Sequence, residues 1–356
     1  MSMKWLRLLL IAIGIAIGLY AIGFFAVSFY VDRTYVVPAF ADAKESATKY
    51  SGALLADIRW AKERPFFAAA KAENDAGLFL NDKITWKTAE GERVGALGET
   101  YLAFPKWVRS LKADTACSDE QKLFLARIDT AWIHDLRNHD HWELSSGNSP
   151  LQVSSPDSPI PDLAMLRTWA IIHLLKSQND IGEAENDIRH FARLLVSNEI
   201  LLSEMVAIAV LEDIDRAGGD CGFTKEELVR LRRMLWALSF NWAITTPADI
   251  RRSVDDEAKD FIGRCAGLTE SAVIALGIRA LTEDQYQAYY QDLDNAEAGV
   301  CRLRLFSQTK KYFDNQPGRV FGEKIGFRIP GVKRLMGASL VSLAGPAPYR
   351  YYENTN

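Results

Sequence analysis

Residues 8–31, LLLIAIGIAIGLYAIGFFAVSFYV, run for 24 residues without a charge. No other stretch restricts the chain as much. At about 1.5 Å of rise per residue, a helix of that length reaches roughly 36 Å, more than the hydrocarbon core of a bilayer. Lys4 and Arg7 precede the run, and Asp32 and Arg33 follow it. The expectation is a single transmembrane helix at 8–31 behind a cytoplasmic tail of residues 1–7. The positive tail places the N-terminus inside and everything after residue 31 outside the cytoplasm, in a periplasm or beyond the cell. Ala39-Phe40-Ala41 fits a small-residue cleavage site, but the apolar run is about twice the length of a signal-peptide core. An uncleaved, single-pass signal-anchor in the cytoplasmic (inner) membrane is therefore expected, with Gly14 and Gly18 spaced to pack two anchors into a homodimer.

The whole sequence is 48% hydrophobic and 25% charged, which argues for folded rather than disordered structure. Its charge is uneven. Residues 302–350 carry a net +8, while residues 32–301 carry a net −13. An acidic body excludes nucleic acid as its natural partner. The basic tail fits either a strap folded over that body or a membrane-surface contact through Lys333 and Arg334.

Cys117, Cys221, Cys265 and Cys301 lack C-x-x-C spacing, so neither structural zinc nor a thioredoxin-type motif is expected. Outside the cytoplasm an even count argues for two disulfides. Helices 224–242 and 247–264 have nearly equal lengths and a tight turn between them, which returns Cys265 to the level of Cys221. The expected pairs are Cys221–Cys265 and, by remainder, Cys117–Cys301.

Helix signals dominate after the anchor, and Pro38 marks a break or kink. Residues 40–63 read as an Ala-rich helix with Leu54, Leu55, Ile58 and Ala61 on one side, and residues 66–80 as a second helix after Pro65. Residues 81–116 have no legible period and read as irregular, with Ile84 and Trp86 fitting a short strand. Ser118/Gln121, Thr224/Glu227 and Thr282/Gln285 fit the capping-box spacing, and Thr246-Pro247 fits a helix start. The spacing predicts helices at 119–140, 162–178, 182–197, 199–217, 224–242, 247–264, 268–279 and 282–312. Apolar nearly all round, 199–217 is the expected central helix, and Leu228, Leu231, Leu235, Leu238 and Trp242 form a packing stripe. The fold class is all-α: a helical-hairpin bundle or short α-superhelix with an irregular C-terminal tail at 313–356. A Ser/Pro-rich linker or surface loop at 144–161 divides a helical region, 40–143, from the bundle, 162–312.

Motifs for chemistry are sparse. No nucleophile elbow, P-loop or dinucleotide fingerprint occurs. His134, His139 and His141 crowd into WIHDLRNHDHWEL with Asp135 and Glu143, donors that zinc or iron accepts. On a helix, Asp135 and His139, or His139 and Glu143, would share a face. The simpler reading is a polar helix end with Trp132, Leu136 and Trp142 turned inward. His173 reads as a satisfied core histidine, and Glu204 as either a buried acid or a side chain reaching solvent. The acidic groups around Asp213/Asp215 and Asp255–Asp260 read as solvated helix faces.

The function expected from these features is a binding scaffold or adaptor for another envelope protein, with no cofactor. The alternatives are a metal-dependent hydrolase using His134, His139, His141 and Glu143 with zinc or iron, and a carrier of an apolar ligand.

Overall fold

A computed structural model describes residues 31–68, 73–88, 90–152, 158–177, 181–198, 200–240 and 248–258, with isolated positions at 23, 25–27, 29, 30, 261, 305, 307–309, 311 and 352. The expected anchor lies almost wholly outside these residues, as do Gly14, Gly18, Cys265, Cys301, Lys333, Arg334 and the helix at 268–279. Among the described residues no helix is long and apolar enough to cross a membrane.

The chain is mostly helical. A π-helical turn, Asp32–Val36, leads into α1, Val37–Lys62. Of the break or kink expected at Pro38, the break does not occur: the residue lies in the first turn of α1, directly after the π-helical turn. Its ring clashes with the carbonyl four residues back and it lacks an N–H, and the wider π turn just before it relieves both demands. Ala47, Tyr50, Leu54, Ile58 and Ala61 form a buried stripe at intervals of three and four.

The predicted helix at 66–80 is instead a 3-10 turn, Pro65–Phe67, and the single turn α2, Gly77–Leu80, with residues 69–72 outside the description. The illegible stretch holds a hairpin, β1 (Trp86–Thr88) with β2 (Gly91–Arg93), then α3 (Ala96–Ala103) and α4 (Lys106–Arg109). Trp86 is in the strand; Ile84 precedes it.

The single helix expected over 119–140 is interrupted. It consists of α5 (Asp119–Ala126) and α6 (Ala131–Asp135), the latter ending in a 3-10 turn, Leu136–Asn138. The Ser118/Gln121 capping box forms as read. The break at 127–130 is held by side chains that compete for its backbone. Asp129 accepts from the Ala131 N–H at 2.9 Å, and Lys176 donates to the Ile128 carbonyl at 2.7 Å.

Of the expected Ser/Pro-rich linker or surface loop at 144–161, residues 153–157 lie outside the description, and part of the remainder is packed inward. Leu144, Ser145, Ser146, Ser149 and Leu151 are buried, and Ile160–Pro161 forms β3, antiparallel to β1 in the sheet order β2-β1-β3. The remaining described helices are α7 (Leu163–Lys176), α8 (Ile181–Ser197), α9 (Leu201–Arg216), α10 (Lys225–Phe240) and α11 (Ala248–Ala258). As its apolar sequence requires, α9 is central, packing on α7, α8 and α10, while α1 packs on α10 and α11. Thr224 and Glu227 cap α10 reciprocally, and Leu228, Leu231, Leu235 and Leu238 are all buried.

Among the described residues Cys117 and Cys221 carry free thiols, while Cys265 and Cys301, with which they were expected to pair, lie outside those residues. The Cys221 thiol is buried and donates to the Phe223 carbonyl at 3.1 Å, which occupies it locally. Tyr352 reaches back from the tail to α1: its hydroxyl donates to Asp57 at 2.9 Å, and its ring stacks on Tyr50. Arg230 and Arg233 neutralise the same buried carboxylate.

Candidate metal centre

The histidine cluster of the sequence does not act as one group. The helix carrying it stops at Asn138, and His139 is extended (φ −113°, ψ 146°). Faces shared at helical spacing therefore dissolve beyond that point, and the three imidazoles go to three different places.

His134, on the last turn of α6, turns to α8, where its Nδ1 lies 3.1 Å from Asp187. Asp187 is buried and also takes Arg137 and the Nε2 of His173, at 3.0 Å for the latter. His173 is a satisfied core histidine, since its Nδ1 meets the Thr130 hydroxyl at 2.9 Å. Burial pushes its pKa down, against the pull of the Asp187 hydrogen bond. These contacts form a structural network that pins α6 to α7 and α8.

His139 lies against the Phe79 ring, and its carbonyl accepts from His190 at 2.8 Å. Its Nδ1 is buried without a hydrogen-bond partner among the described residues.

His141 has different company. Residues 74–76 and 140–141 run side by side as a parallel bridge, with Ala76 N–H donating to the His141 carbonyl at 2.8 Å and Asp140 N–H to the Asn74 carbonyl at 3.0 Å. In extended chain, alternate residues share a face. His141 and Glu143 therefore point the same way, and the bridge sets Asp75 beside them. Ligand atoms of Asp75, His141 and Glu143 all lie within 4.8 Å of one another.

Among the described residues, each of these three side chains has one atom held by hydrogen bonds and one that makes none. Asp75 Oδ1 accepts from the backbone N–H of Gly77 at 2.7 Å and of Glu143 at 2.8 Å, leaving Oδ2. Glu143 Oε1 accepts from the Ser145 hydroxyl at 3.1 Å, leaving Oε2. His141 Nδ1 faces Asp140 Oδ1 at 2.6 Å, which assigns its proton there and leaves Nε2 with a lone pair. Burial works to raise the Asp140 pKa, but the His141 hydrogen bond and the N–H groups of Glu73 and Asn74 hold it below the usual carboxylate value. Asp140 stays ionised and orients the imidazole, the arrangement that supports metal-bound histidines.

The loop is set by Asn81, which is 1% exposed. Its Nδ2 donates to the carbonyls of Glu143 (3.0 Å), Leu144 (3.2 Å) and Ser146 (3.0 Å), and its Oδ1 accepts from Trp142 Nε1 at 2.9 Å. Gly77 makes the closeness achievable: a Cβ there would sit 2.2 Å from both the Glu143 carbonyl and the Ser146 hydroxyl.

Two of the four sequence candidates, His141 and Glu143, thus share a site; His134 and His139 do not. The third donor, Asp75, lies 66 residues upstream and carries no local motif. The bridge partner of His141 is not encoded by any periodicity. Glu204 is fully buried, the first of its two expected readings, whereas Asp213 differs from expectation: it is 1% exposed rather than solvated, accepting from Arg167 at 2.6 and 2.9 Å and from Arg216 at 2.8 Å.

Comparison with known proteins found no matching family model, curated protein or solved structure.

Proposed function

We propose that this chain is a membrane-tethered helical protein that binds one divalent transition-metal ion on Asp75, His141 and Glu143. The observation that carries the reading is that ligand atoms of Asp75, His141 and Glu143 lie within 4.8 Å of one another on side chains fixed by hydrogen bonds, with a carboxylate behind the histidine. One imidazole and two carboxylates suit zinc, manganese or ferrous iron. Tetrahedral zinc at about 2.0–2.2 Å from its ligands separates them by about 3.4 Å, so the donors need to close by no more than about 1.4 Å. Three protein ligands leave a position for water, which zinc would acidify to a pKa near 7, the requirement of a hydrolytic centre. The tether is supported by the sequence of residues 8–31 and by Phe25, Val27, Phe29 and Tyr30, all more than half exposed.

The test is calorimetric titration of chelator-stripped full-length protein in detergent with zinc and with manganese. One ion per chain is expected. His141→Ala and Glu143→Gln should abolish it, and Asp140→Asn should weaken it roughly 10- to 100-fold. His134→Ala and His139→Ala should bind as the parent does. Binding that survives loss of His141, or disappears with His139, refutes the site.

A further inference from the structure

A cleft lies between the 111–114 segment, α7 and the end of α9. It measures about 480 Å³, room for about sixteen water-sized volumes. Leu111, Ala164 and Ile171 give it an apolar wall; Lys112, Arg167 and Arg216 give it a cationic one.

The charges here do not cancel. Asp213 at the floor is buried and is already satisfied bidentately by Arg167. Arg216 is a second guanidinium on the same carboxylate. Its other partner, Glu212, is shared with Arg232, so that outer pair is neutral by itself. Lys112 is exposed and makes no ion pair among the described residues. Against these three cations stand only Asp213 and the exposed Asp114, leaving the lining at one net positive charge. Guanidinium groups match carboxylates in shape as well as sign.

We propose that this cleft binds a small amphipathic monocarboxylate, its head group between Lys112 and Arg216 and its apolar body along Leu111 and Ile171. One surplus charge selects a monoanion. A phosphate monoester would bring a second negative charge toward Asp114, which opposes it. The site is independent of the proposed metal centre, sharing no residue with it.

The experiment is titration of the full-length protein in detergent with benzoate, using protein-free micelles as the blank. Benzyl alcohol, acetate and phenyl phosphate serve as comparators. Benzoate should bind saturably at one per chain; benzyl alcohol, lacking the charge, and acetate, lacking the body, should each bind at least roughly fivefold more weakly. Lys112→Gln should weaken benzoate roughly two- to fivefold and Asp114→Asn should tighten it by a similar factor, both positions being exposed and therefore screened. Neither side chain bonds to another among the described residues, so both variants stay folded. Equal binding of benzyl alcohol, stronger binding of phenyl phosphate, or no response to the two charge changes overturns the proposal.

Discussion

Replacing Asn81 tests whether one side chain holds the loop that carries His141 and Glu143. The Asn81 amide has two hydrogens and serves three carbonyls at 3.0–3.2 Å, while its oxygen takes the Trp142 indole N–H. All of this is buried. Asn81→Ala removes about three hydrogen bonds, worth a net ~1 kcal/mol each, and strands buried partners at ~1–3 kcal/mol apiece where water does not enter. The expected loss is about 3–5 kcal/mol, a large share of the ~5–15 kcal/mol that stabilises a typical domain. Asn81→Asp separates the two halves of the amide. It keeps an acceptor for Trp142 but turns a carboxylate oxygen toward three carbonyls, so it should cost at least as much as alanine. Urea unfolding followed by tryptophan fluorescence reads both, since Trp86 and Trp142 bond to this residue. Metal affinity should fall in parallel, because the Asp75–His141 bridge depends on the same loop. A loss below about 1 kcal/mol for Asn81→Ala, or an aspartate variant as stable as the parent, would refute the reasoning.

Gly77→Ala should destabilise the fold by about 1–3 kcal/mol and weaken metal binding, since the new Cβ meets backbone at Glu143 rather than a movable side-chain tip. His173 and His190 both have pKa values pushed down by burial, so the unfolded chain takes up protons first as pH falls. Their contribution is whole above about pH 6.5 and is lost below it toward the folded values, by up to about 1.4 kcal/mol per pH unit for the buried His173. Urea midpoints that stay constant between about pH 7.5 and 5.5 would contradict this. Cys117 should label with a thiol reagent in the native protein, slowly because burial raises its pKa, whereas Cys221 should label only on unfolding without reductant. Failure of Cys221 to label in the unfolded, unreduced chain would restore the disulfide reading.

Local signals in this chain were reliable where the local interaction is itself the cause. Ser118 and Thr224 cap their helices because the partner side chain is three residues away in any context. The stripe Leu228–Leu238 and the apolar band of α9 need only a neighbour to be buried, whichever it is. The helical class followed from these. The expectation of a scaffold rested on the anchor, the capped helices and the missing enzyme motifs, none of which points to Asp75 or to its meeting with His141.

What tertiary structure decided was where helices stop and which distant residues meet. Periodicity ran the helix through 119–140, but Lys176 and His173, some 45 residues on, claim the backbone and side chain at Ile128 and Thr130 and break it. The extended backbone after Asn138 converts a helical i,i+4 pairing into an extended i,i+2 one, which exchanges His139 for His141 as the partner of Glu143. Asp75, Asp187 and Asp213 acquire their roles only from chains that fold against them. A capping box is closed within one turn and is written in four letters. A three-donor site spanning Asp75 to Glu143 is closed by a bridge between two segments, and no short window of the sequence contains both.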